Sequence, residues 1–164
     1  LFKNERVKLV PVSDTRQKRR FKSLDTKFSV ALHILAMISE SRDILSSQAL
    51  AESVGTNPSY IRKVIALLKK AEIIRSQQGK SGYELTKSPK EMSLLEIYFA
   101  TQEVEGITLF PIHQNTNLNC PVGNHIGAAI SPIFSSVEAH LEQELHSKTL
   151  QDVIDNLYDV ASKK

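Results

Sequence analysis

The sequence predicts a mainly α-helical chain that carries one small β-hairpin and ends in a long helix. Three observations predict it. From position 28 onward, apolar residues recur at i, i+3, i+4 and i+7, the period of one helix face. A single pair of short alternating runs flanks the turn Gly79-Lys80-Ser81-Gly82, as in a hairpin. Ile126, Ile130, Ile133, Val137, Leu141 and Leu145 keep one stripe along the acidic C-terminal part.

Composition narrows the class. No stretch approaches the ~20 apolar residues of a membrane-spanning helix, and no apolar run follows the basic N-terminus as in a signal peptide. A single cysteine, Cys120, excludes an internal disulfide framework and fits a reducing, cytoplasmic setting. Net charge is +3, but it is unevenly placed: residues 1–23 carry +6, 24–41 carry −1, 42–90 carry +5 and 91–164 carry −7. A basic front and an acidic back suit a polyanion-binding domain joined to a separate oligomerisation segment. No phosphate loop, nucleophile–base motif or distinctive carboxylate pair is present, so an enzyme is not expected.

The elements follow in order. Residues 1–23 read as a basic N-terminal arm able to grip DNA phosphate, or as an extension not native to the domain. A first helix is expected over 25–41, capped by Asp25 and apolar on most sides. Ser46 then caps a short helix over Ser47–Val54, and Gly55 ends it by supplying a left-handed turn. Asn57 caps the next helix, with Pro58 at its first position, where no backbone donor is missed. Ile61, Val64, Ile65 and Leu68 form its inner face, and Ser59, Arg62, Lys63, Ala66 and Lys70 its outer one. Short helix, glycine turn and basic-faced helix make a helix-turn-helix.

The strands 73–78 and 83–86 come directly after it, so the hairpin reads as a wing with Lys80 at its tip. Residues 24–101 therefore form a winged helix-turn-helix DNA-binding domain. A helix over 93–101 closes the domain. Residues 102–120 form a long loop, a candidate sensor region. Residues 121–164 form a helical dimerisation region. There, Pro132 is expected to kink or split the long helix, and Ile126, Ile130, Ile133, Val137 and Leu141 to meet a second copy. A shorter helix follows over 150–160.

These segments resemble the Rrf-two (Rrf2) family of bacterial regulators. The likeness is carried by Leu24-Asp25-Thr26-Lys27, Leu50-Ala51-Glu52, Ser59-Tyr60-Ile61-Arg62-Lys63-Val64 and Met92-Ser93-Leu94-Leu95-Glu96-Ile97, and it covers the chain from Leu24 to the end. The resemblance implies a cytoplasmic, nucleoid-associated homodimer with a winged helix on each subunit, reading a palindromic stretch of double-stranded DNA and acting as a repressor. Iron–sulfur members of the family place three cysteines in the loop before the long helix. This chain has only the last, Cys120, and Gly123 where such members have histidine. A cluster needs about four ligands, so no cofactor is expected, and Cys120-Pro121-Val122-Gly123 resembles a cluster-free branch. His113, Cys120 and His125 fit no zinc spacing.

Site expectations follow. Ser59, Tyr60, Arg62 and Lys63 are expected at base edges or phosphates of a major groove, Gln48 and Lys70 at the backbone, and Lys80 and Tyr83 on the wing, along the minor groove or its phosphates. Cys120, at a helix N-terminus, is a candidate thiol sensor for an oxidant or electrophile. The rival reading is a winged helix that binds a protein partner and no DNA; the basic outer face of the second motif helix argues against it.

Overall fold

The structure is a computed structural model, and it describes residues 26–42, 45–77 and 82–163. The N-terminal arm and the wing tip with Lys80 lie outside the described residues. Within them, six α-helices and one hairpin follow in the order α1 (Lys27–Glu40), α2 (Ser47–Val54), α3 (Pro58–Lys70), β1 (Ile74–Ser76), β2 (Tyr83–Leu85), a 3₁₀ turn (Pro89–Glu91), α4 (Leu94–Gln102), α5 (Pro121–Ser147) and α6 (Leu150–Ala161). The mainly helical, winged architecture expected from the sequence is the one observed.

One core joins these elements. Ile34 and Leu35 of α1, Leu50 of α2, Ile61 and Leu68 of α3, Ile74 of β1 and Ile97 of α4 are buried together. Each such side chain contributes about 1.5–3 kcal/mol by leaving water. The hairpin pairs Ile74 with Leu85, Arg75 with Glu84 and Ser76 with Tyr83, and the Arg75–Glu84 ion pair spans the strands at 2.6 Å. Both strands are shorter than the sequence suggests. Of β1 only Ile74 is buried, so the core holds the root of the hairpin and little apolar surface extends the pairing toward its tip.

The C-terminal helix returns to the winged-helix domain. Thr149 and Asp152 form a capping box at the start of α6. The Leu150 N–H donates to the Met92 carbonyl at 2.9 Å, and the Leu94 N–H to the Lys148 carbonyl at 2.8 Å. Leu150 and Ile154 thereby enter the common core.

Helix α5 is different. Its 27 residues extend roughly 40 Å at 1.5 Å per residue, and none of them is buried. Pro132 does not split it. Proline lacks the N–H that would bond the Ala128 carbonyl, but both residues are exposed, so water can satisfy the released group and the helix continues. The loop before α5 is tied along it. Glu138 accepts from the Leu109 and Phe110 N–H groups at 2.7 and 3.2 Å, and Glu142 accepts from the Ile107 N–H at 2.8 Å. Phe110 and Phe134 pack with ring centres 5.0 Å apart. At the lower end Gly123 admits the loop: a Cβ there would lie 2.5 Å from the Asn117 carbonyl oxygen. No helix among the described residues is long and apolar enough to cross a membrane.

Candidate nucleic-acid interface

The α2–turn–α3 unit is fixed by local chemistry. The Ser46 hydroxyl accepts the Ala49 N–H at 3.2 Å. Gly55 takes φ 74°, ψ 38°, a left-handed conformation that a side chain would strain, and the Gly55 and Thr56 N–H groups close onto the Ala51 carbonyl at 2.9 and 3.0 Å. Asn57 Oδ1 then accepts the Tyr60 N–H at 2.8 Å, and Pro58 opens α3. With Ile61, Val64, Ile65 and Leu68 buried, the rotation of α3 about its axis is set, and its opposite side is fixed outward.

That side presents Ser59, Arg62, Lys63 and Ala66, all exposed. Arg62 Nη2 donates to Ser59 Oγ at 3.0 Å, so the two sit together one turn apart. Lys63 has no ion-pair partner among the described residues. Gln48 is exposed on α2 and bonds Glu52 at 3.0 Å. Lys70, at the far end of α3, pairs with Glu103 at 3.1 Å.

The two tyrosines are placed otherwise than their sequence neighbours suggest. Tyr60 is half-buried against the core, and its hydroxyl lies 3.1 Å from Thr26 Oγ1 at the head of α1. Tyr83 is half-buried as well, with its hydroxyl 3.5 Å from Ser47 Oγ. Each packs its ring against the core and keeps its polar tip at the rim. Sequence reasoning missed Glu103 as the partner of Lys70, and Glu138 and Glu142 as the anchors of the loop; none has a local signature.

Cys120 is exposed and precedes the first turn of α5. The backbone N–H groups of Gly123 and then Val122 favour its thiolate and hold the thiol below its ordinary pKa. Of the expected dimerisation stripe, Ile126, Ile130 and Leu141 are half-buried, while Ile133 and Val137 remain 61% and 48% exposed. Ile133 and Val137, one turn apart, are thus large apolar side chains left open on this helix.

A buried-faced helix, a glycine turn, a basic-faced helix and a hairpin define a winged helix-turn-helix protein. The family profile described as Rrf2, iron-dependent transcriptional regulator, matches residues 24–156, and the chain belongs to that family. It is 44% identical over 135 residues to YwnA of Bacillus subtilis (strain 168), named as an HTH-type transcriptional regulator, covering 82% of this chain and 99% of YwnA. A crystal structure titled as that of a DNA-binding protein matches with a TM-score of 0.64 at 42% identity, over 78% of this chain and 98% of the other. CymR, titled the global cysteine regulator of B. subtilis, shares the fold, with a TM-score of 0.61 at 16% identity, over 80% and 95% of the two chains. Members of the family are transcriptional regulators and not enzymes.

The iron in the family description finds no suitable donor set here. The sequence has one cysteine, and among the described residues no group of three or more His, Cys, Asp or Glu side chains converges as metal ligands would. These residues do not fit an iron–sulfur cluster.

Proposed function

We propose that the protein is a homodimeric, sequence-specific repressor that reads a palindromic operator with α3 in the major groove. The observation that carries this reading is the outer face of α3: Ser59, Arg62 and Lys63 stand exposed on a helix whose other face is buried. A rigid cationic helix face suits a duplex groove, with Arg62 forking to a guanine edge and Lys63 to phosphate. Lys80 and Gln48 add backbone contacts, and Lys70 joins them when it exchanges Glu103 for phosphate. The stripe Ile126, Ile130, Ile133, Val137 and Leu141 pairs the two α5 helices, so that one subunit's α3 is repeated by the other's. A protein that works on DNA in this way acts in the cytoplasm, on the nucleoid.

Cys120 supplies the response in this reading. Its favoured thiolate attacks an oxidant or electrophile, and modification at the head of α5 disturbs the helix that sets the spacing of the two α3 helices. Sequencing of genomic fragments retained by the purified protein tests the function. An inverted repeat with half-sites one helical turn, about 34–36 Å, apart or a multiple of it supports it. Recovery of fragments with no shared motif contradicts it.

A further inference from the structure

We propose that the cleft between residues 112–116 and the first half of α5 is a binding site for a neutral, hydroxyl-bearing small molecule. The cleft is a solvent-open groove of about 410 Å³, within the roughly 300–1,000 Å³ of small-molecule sites. Its space exists because the α5 wall is built from Gly127 and Ala128, where larger residues would fill it. The loop wall is held in place independently, by Glu138 and Glu142 further up the helix.

The chemistry of the lining selects the ligand. Asn115, Thr116, Asn124 and Ser131 all face this cleft, and none of their side chains has a hydrogen-bond partner among the described residues. Amides and hydroxyls both donate and accept, which matches the same ambivalence in ligand hydroxyl groups. No Lys, Arg, Asp or Glu lines the cleft, whose remaining polar residues are His113 and Gln114, so a phosphate or carboxylate would find no permanent cation and an ammonium no carboxylate, while both side chains can hydrogen-bond a hydroxyl. Ile112 offers one apolar contact for a ring face.

The cleft does not compete with the proposed dimer stripe. At 100° per residue, positions 124, 127, 128 and 131 centre roughly a third of a turn from the line 126–130–133–137–141. The loop that forms its outer wall begins at Glu103, which pairs with Lys70 of α3. Ligand binding and operator binding are thereby joined through one segment, a consequence that rests on the function proposed above. The binding itself does not.

Amide resonances of the intact protein, titrated without DNA, test the proposal. D-glucose and uridine serve as probes, since polyols and nucleosides share the hydroxyl chemistry. For at least one of them, saturable shifts confined to Asn115, Thr116, Asn124 and Ser131 are expected, with a Kd of about 1 mM or tighter. Which probe does so distinguishes the two sources. Ala128→Leu fills the cleft with a good helix former and should weaken binding by roughly tenfold or more; Asn124→Ala should weaken it with the rest of the spectrum unchanged. Absence of such shifts with both probes, or shifts that persist at full strength in Ala128→Leu, overturns the site.

Discussion

Arg62 and Lys63 differ from the other cations on α3 in what restrains them. Lys69 bonds Ser76 and Lys70 bonds Glu103, while Arg62 is held by its neighbour Ser59 one turn away. A guanidinium steadied by its own helix gives up less freedom on docking to a guanine edge. Arg62→Ala is therefore expected to weaken operator binding by about 1–3 kcal/mol, measured by fluorescence anisotropy, with thermal stability unchanged. Asn57 acts on folding instead. Its side chain satisfies one of the free N–H groups at the head of α3, and Asn57→Ala should lower unfolding free energy by about 1 kcal/mol in a denaturant titration. For Cys120 the sign runs one way. Gly123 and Val122 N–H groups stabilise the thiolate, so the rate of alkylation should rise with pH and reach half its plateau at a lower pH than for free cysteine. A midpoint at or above that of free cysteine would contradict this geometry.

At the scale of elements, the contrast between α3 and α5 explains what was legible in the sequence. The boundaries of α2 and α3 rest on Ser46, Gly55, Asn57 and Pro58, each acting within a few residues, and a reading of the sequence finds them. Helix α1 begins at Lys27, where Thr26 makes no side-chain cap bond; Asp25, the cap expected from the sequence, lies outside the described residues. The seating of the 103–120 loop was not legible. Two glutamates on an acidic, solvated helix carry no sign that they accept backbone N–H groups some 30 residues earlier. Gly123 stood out only as the place of a missing histidine, whereas its bare Cα lets the Asn117 carbonyl approach closer than any Cβ would allow. Hydrogen exchange at Leu109 and Phe110 should speed up in Glu138→Ala, with exchange in the α3 core unchanged.

For the whole molecule, the apolar surface left on α5 is the feature a single subunit does not account for. Ile133 and Val137 stay open on a helix without one buried residue, while α6 returns to the shared core. The sequence stripe pointed to this face, but not to the return of Leu150 and Ile154 to the winged-helix domain, which depends on backbone bonds that join Met92 and Leu94 to residues more than 50 positions later. Ile133→Glu with Val137→Glu is expected to convert a dimer to monomers in sedimentation equilibrium and to abolish operator binding at the same protein concentration. Tyr60 and Tyr83 show the remaining gap: their polar neighbours mark them as surface residues, and only tertiary packing turns their rings toward the core.

Salt dependence of operator affinity, compared between the wild type and Arg62→Ala/Lys63→Ala, measures most directly whether the outer face of α3 lies on DNA. A steep fall in log affinity with log salt is predicted for the wild type. In the variant the slope should shrink by about 0.9 for each phosphate no longer neutralised, with affinity for the operator reduced at every salt concentration. Equal affinity and equal slope in the two proteins would contradict it.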